Sequence, residues 1–207
     1  MPAKNDDLHG SVPERCPLAL LIVDVINAME FDGGEKLLEQ ALPMADRLAA
    51  FAARAREVGV PVIYVNDNFG KWRSDFRALL DHVVKDGTRG RPIADVLIPG
   101  KSDYFVLKPK HSGFFSTTLE TLLEYLHART LIITGLTTDL CVLFTASDAH
   151  MRDFHLVVPP DLCAAASPEH HEMAIDLLRS NLGADTRPSS EIDFGELAAK
   201  SGEPISG

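Results

Sequence analysis

The chain reads as an α/β protein, a three-layer α/β/α sandwich around a central, mostly parallel six-stranded sheet. Two observations predict this. Apolar, β-branched runs of strand length recur along the chain with helical patterns between most of them, which is the alternation of right-handed βαβ crossovers. The first four runs also end next to residues with chemistry to offer, as expected where ligands bind beyond the carboxyl ends of parallel strands. At 207 residues and 45% hydrophobic content, with no low-complexity linker, the chain can bury one substantial core. Residues 1–207 therefore read as a single domain, with 1–16 an extended N-terminal segment.

The elements follow in order. Leu18–Val23 is an apolar run of strand length that Asp24 terminates. Residues 35–58 form a long helical pattern, interrupted near Pro43, that turns Leu48, Phe51 and Ala52 toward the sheet. Residues 60–65 make a second strand, closed by Asn66, Asp67 and Asn68. The helical pattern of 74–85 (Phe76, Leu79, Leu80, Val83, Val84) and the polar, glycine-containing loop 86–92 form an insertion over the ligand edge, a lid or a subunit contact. Residues 104–107 are the third strand, ended by Lys108. The fourth, 131–134, leads through Gly135 and short polar residues to Cys141, where a helical stretch over 142–151 begins. Residues 154–158 read as a fifth strand and 168–181 as a helix opened by Ser167. Residues 184–187 read as a short sixth strand before a helix over 191–200.

Cys141 is the most informative residue. A strand-to-helix turn offers unpaired backbone N–H groups and the positive end of a helix dipole, both of which favour thiolate over thiol. A lone cysteine there also fits a small buried hydrophobe. Asp24 and Lys108, at the ends of other strands, change the balance, because an acid, a cation and a thiol would then share one crevice.

These residues carry a resemblance to the isochorismatase-like cysteine hydrolases, which include nicotinamidases, carbamoyl-amino-acid amidohydrolases and isochorismatases. The matching segments are the strand ending in Asp24, the stretch from Val106 through Lys108 to Phe114 leading into Thr118 and Leu119, and the run from Gly135 through Cys141 to Ala149. The resemblance implies a Rossmann-like sheet and places the family's Asp-Lys-Cys triad on Asp24, Lys108 and Cys141. An ordinary thiol titrates at about 8.5, and a nearby ammonium favours its anion. Asp24 would take the thiol proton and later deliver it to a leaving amine or activate water. Burial and the thiolate push the aspartate pKa up while the lysine pulls it down. The resemblance also implies a cis peptide at Leu136–Thr137, with the backbone N–H groups of Thr137 and Cys141 facing the developing oxyanion.

Departures from the family pattern matter too. Many relatives carry glutamine two residues after the aspartate and an aromatic residue five after it, where this chain has Ile26 and Met29; Phe31 is the candidate replacement wall. Asn68 and Trp72 are further candidate substrate contacts, and Lys71 and Arg73 are cations close enough in sequence to meet a substrate carboxylate. Nicotinamidases place an aspartate and histidines after the second strand to bind a metal, whereas here the first histidine after that strand is His82, so no metal is expected. His170 and His171 are adjacent on a helix and read as surface or packing residues.

Composition excludes other classes. A net charge of −10, from 20 basic and 30 acidic residues, opposes binding to a phosphate backbone. No glycine-rich fingerprint joins a strand to a helix, so no nucleotide cofactor is expected. Three cysteines without a spacing framework, no signal-like N-terminus and no apolar run of about 18 residues give cytoplasmic residence as the default. The expected partner is a small-molecule substrate, with neither nucleic acid nor membrane, and the resemblance implies a homodimer or higher homo-oligomer. The sequence thus reads as a metal-independent cysteine hydrolase cleaving a small amide, carbamoyl or related C–N substrate through an acyl-thioester on Cys141. The alternatives are an isochorismatase-type vinyl-ether hydrolase using Asp24 and Lys108, and a non-catalytic binding or redox-sensing protein.

Overall fold

The computed structural model describes residues 15–70 and 75–201. Six parallel strands, β1 (Leu18–Val23), β2 (Val62–Asp67), β3 (Tyr104–Lys108), β4 (Thr130–Leu136), β5 (His155–Val157) and β6 (Cys163–Ala164), form one sheet. Their order is β3-β2-β1-β4, continued by β5 along the first half of β4 and by β6 along its end. Every residue of β1 is buried, because helices cover both faces of the sheet and leave no side to water.

Alternate residues of β1 feed two separate cores, as the two-residue period of a strand requires. Leu18, Leu20 and Ile22 pack against α1 (Gly34–Glu57), α2 (Phe76–Lys85), α3 (Arg91–Val96) and α7 (Phe194–Lys200). Ala19, Leu21 and Val23 pack against α4 (Leu119–Leu126), α5 (Leu143–His150) and α6 (Pro168–Leu182). These are the three layers. Among the described residues, no helix is long and apolar enough to cross a membrane.

Several expected boundaries move. The helix α1 runs unbroken through Pro43. Pro43 and Glu39, whose carbonyl loses its donor to the ring, both lie on the exposed face, so the missing bond is left to solvent. The sixth strand is Cys163–Ala164, not residues 184–187, which contribute only a bridge between Asp185 and Val157. The last helix begins at Phe194, where the side chain of Asp193 accepts from the Glu196 N–H at 2.8 Å; residues 189–191 form a separate 3₁₀ turn. The insertion after β2 is two helices, with α2 capped by Asp75 accepting from the Ala78 N–H and α3 occupying part of the expected loop.

Candidate active site

Asp24, Lys108 and Cys141 arrive from three different strand ends and meet. Asp24 is the first residue beyond β1 and takes a positive φ of 51°, a region that aspartate tolerates better than most residues. Its amide donates to the Val65 carbonyl, and its Oδ1 accepts from the Asp67 N–H at 2.6 Å. Lys108 is the last residue of β3 and is completely buried. Its Nζ lies 2.8 Å from Asp24 Oδ2 and 3.4 Å from Cys141 Sγ, donates to the Lys110 carbonyl at 3.1 Å, and stands 3.5 Å from Asp67 Oδ2. Buried charges persist where partners replace water, and here one ammonium has two carboxylates, a carbonyl and a sulfur around it.

Cys141 follows β4 within a wide turn, Thr138–Val142, wound as a single turn of π-helix before α5. Such turns recur at functional sites. The Leu136–Thr137 peptide is cis, and the Thr137 carbonyl accepts from the N–H groups of Leu140 and Val142. Gly135 is what allows β4 to lie so close to β1. Its φ is +105°, and a Cβ there would meet the Val23 carbonyl oxygen at 2.1 Å.

The electrostatics correct one expectation. The thiol of Cys141 is not lowered but pushed up to about 12, by burial and by the charge of Asp24, with Lys108 opposing. Cys141 is only 8% exposed, and the loss of hydration outweighs the pull of the ammonium. Burial likewise raises Asp24 above the usual carboxylate range, against the pull of Lys108 and of hydrogen bonds from Cys141, Lys108 and the Asp67 amide. For Lys108, burial acts to lower the pKa, but Asp24, Cys141 and Asp67 together raise it, so it stays an ammonium. The resting trio is thus a thiol, a carboxylate that binds protons readily, and a fixed cation.

The remaining candidates separate. Phe31, on the loop between β1 and α1, is 47% exposed. Asn68 spends its Oδ1 on the Gly70 N–H at 2.9 Å, and its amide donates to the Lys108 carbonyl. Trp72, Lys71 and Arg73 lie outside the described residues. Ile26 and Met29, which replace the family's glutamine and aromatic residue, are fully buried in the α1-side core; their apolar side chains pack inward. Among the described residues no group of three or more His, Cys, Asp or Glu is arranged to hold a metal ion. His82, on α2, pairs with Asp86 just beyond the helix end.

Two residues escaped the sequence reading. Asp67 looked like turn chemistry and partly is, its Oδ1 accepting from the Phe69 N–H at 2.6 Å, yet its other oxygen faces Lys108. Its position at the end of the strand between those of Asp24 and Lys108 was the available signal. His171, read as a surface or packing residue, places Nδ1 2.8 Å from Thr138 Oγ1 in the cysteine turn. No local pattern announces a contact made across 33 residues.

Comparison with known proteins agrees with this architecture. An Isochorismatase domain model matches residues 18–189. An uncharacterized isochorismatase family protein of Bacillus subtilis, YaaI, is 38% identical over 174 residues, 84% of this chain and 95% of the relative. The ureidoacrylate amidohydrolase RutB of Methylorubrum extorquens is 27% identical over 177 residues, 72% of this chain and 70% of the relative. The crystal structure of N-carbamoylsarcosine amidase from Thermoplasma acidophilum superposes with a TM-score of 0.64 at 27% identity, covering 85% of this chain and 98% of that one. With a domain match over most of its length and a sheet of the same fold, the chain belongs to the isochorismatase family of hydrolases, among whose members are amidases.

Proposed function

We propose that this protein is a cysteine hydrolase that cleaves a small amide, carbamoyl or related C–N bond without a metal. The observation that carries the reading is the single ammonium of Lys108 within 2.8 Å of Asp24 and 3.4 Å of Cys141. Cys141 Sγ attacks the carbonyl carbon while its proton passes to Asp24. The oxyanion forms against the backbone N–H groups of Thr137 and Cys141. The C–N bond breaks as Asp24 returns the proton to the leaving nitrogen. Water then attacks the thioester, giving one proton to Asp24, and the acid departs as the sulfur recovers that proton. Because the thiol is protonated at rest, deprotonation and attack belong to one event. Lys108 holds the aspartate and stabilises negative charge on the sulfur. Phe31, Asn68 and Trp72 are assigned to the substrate wall, and relatives that act on ureidoacrylate and N-carbamoylsarcosine by name support a carbamoyl-type substrate. We place the protein in the cytoplasm, working as a homo-oligomer on a small molecule.

The test is Cys141→Ala assayed against a panel of small amides and carbamoyl compounds, with intact-mass spectrometry of the wild type quenched during turnover. The expected outcome is loss of turnover in the variant and a substrate-derived acyl mass on wild-type Cys141. Full activity without the sulfur would reject the scheme. The high thiol pKa favours a second reading, a vinyl-ether hydrolase in which Asp24 protonates the substrate and no thioester forms. Turnover of such an ether with no covalent mass would select it.

A further inference from the structure

The turn that carries Cys141 is held from outside its own strand and helix. Thr138 is fully buried, and its hydroxyl lies 2.8 Å from Nδ1 of His171, in the first turns of α6. The neighbouring histidine, His170, reaches the next turn residue, with Nδ1 3.4 Å from Asp139 Oδ2. That exposed pair contributes little, so the half-buried His171 contact is the one with leverage. Resting on the assignment of Cys141 as nucleophile, we infer that His171 is a positioning residue, which fixes the 138–142 turn through Thr138 and so sets the direction of the sulfur and of the turn's amides.

Burial lowers the His171 pKa, with Glu172 and Asp139 opposing, so the ring is neutral, and Nδ1 shares one hydrogen bond with the Thr138 hydroxyl whose direction follows the ring tautomer. Removing the ring takes that partner from the hydroxyl and releases the turn from α6. A turn free to shift by about 1 Å would cost a nucleophile up to about 100-fold in rate, while substrate binding, made by other loops, would change little.

The experiment compares wild type with His171→Ala, His171→Asn and Thr138→Val. Readouts are kcat and KM on the panel compound with the highest turnover, and the rate of iodoacetamide alkylation at Cys141 followed by peptide mass. His171→Asn keeps an amide that can accept or donate close to where Nδ1 stood. The expected result is a fall in kcat of about 10- to 100-fold for His171→Ala with KM unchanged, a matching fall for the near-isosteric Thr138→Val, a double variant no worse than either, and recovery in His171→Asn. The alkylation rate should change in the same order. Unchanged kcat and alkylation in His171→Ala, or additive losses in the double variant, would overturn the inference. If Cys141→Ala proves active the nucleophile assignment fails separately, and the alkylation series still decides whether His171 holds the turn.

Discussion

At the scale of single residues, the site departs from the picture of a cysteine activated in advance. Cys141, Asp24 and Lys108 were each legible in the sequence as chemistry at a strand end, but the direction of the thiol shift was not. It depends on how much water the fold removes, and desolvation is a property of packed neighbours rather than of the local motif. Iodoacetamide modification of Cys141 should therefore stay slow across the pH range around 8.5 in which an ordinary thiol ionises, and should rise only toward the pKa of about 12. A conventional titration near 8.5 at that residue would contradict the assignment. Asp24 has the opposite bearing on the acid side. Its folded pKa exceeds the ordinary 3.8, and below that raised value it is already protonated and can no longer act as the base for the thiol proton. A profile of kcat/KM against pH should thus lose activity on the acid side with a midpoint above 3.8, and Lys108→Met, by deleting the cation that pulls the pKa down, should move that midpoint to higher pH. The same shift sets a sign for folding: the native state holds this proton more tightly than the unfolded chain, so the contribution of Asp24 to stability declines as pH rises from 3.8 through the raised value.

At the scale of elements, the strands that carry the site were the easiest to read. β1 and β4 are short apolar runs buried on both faces, which leaves a near-continuous hydrophobic signature, and β3, at the sheet edge with Phe105 exposed, still shows its apolar run up to Lys108. The errors fall where tertiary context overrides local pattern. Pro43 looked like a break, but on the solvent side of a 24-residue helix it removes one bond and clashes with nothing in the core. Residues 184–187 looked like a strand and Cys163–Ala164 did not, because two residues are too few to show a period; what makes them a strand is the exposed upper edge of β4, already waiting beside Gly135 and Leu136. Gly135 itself was read only as the end of a run. Its consequence is testable: Gly135→Ala combines a positive φ with a Cβ driven into the Val23 carbonyl, and should cost about 2–6 kcal/mol, summing backbone strain and overpacking. Chemical denaturation should report that loss, and activity should fall with it since Val23 immediately precedes Asp24. A variant as stable as wild type would mean that β1 and β4 are not so tightly apposed.

At the scale of the whole molecule, one strand belongs to two cores. β1 sends alternate side chains to the helices on either side, so opening either layer exposes one face of the strand on which the other layer is built. Leu48 on α1 and Leu123 on α4 are both completely buried, in opposite layers. Leu48→Ala and Leu123→Ala should each destabilise by about 2–5 kcal/mol, and each should lower the midpoint of the same cooperative transition in calorimetry and in far-ultraviolet circular dichroism. Two separated transitions in either variant would show layers that fold as independent units.

Lys108 and Asp24 stand on strands with β2 between them. Adjacent strands lie about 4.8 Å apart, so the lysine and the aspartate together reach across roughly two such spacings, over the end of β2 where Asp67 waits beside the ammonium. A slip of any one of these strands by a single residue would send its side chain to the opposite face of the sheet. Correct pairing of the backbone and the capacity to react are therefore one property of this molecule, and a misregistered population would betray itself in an assay as silent protein before any spectroscopic probe of secondary structure noticed the fault.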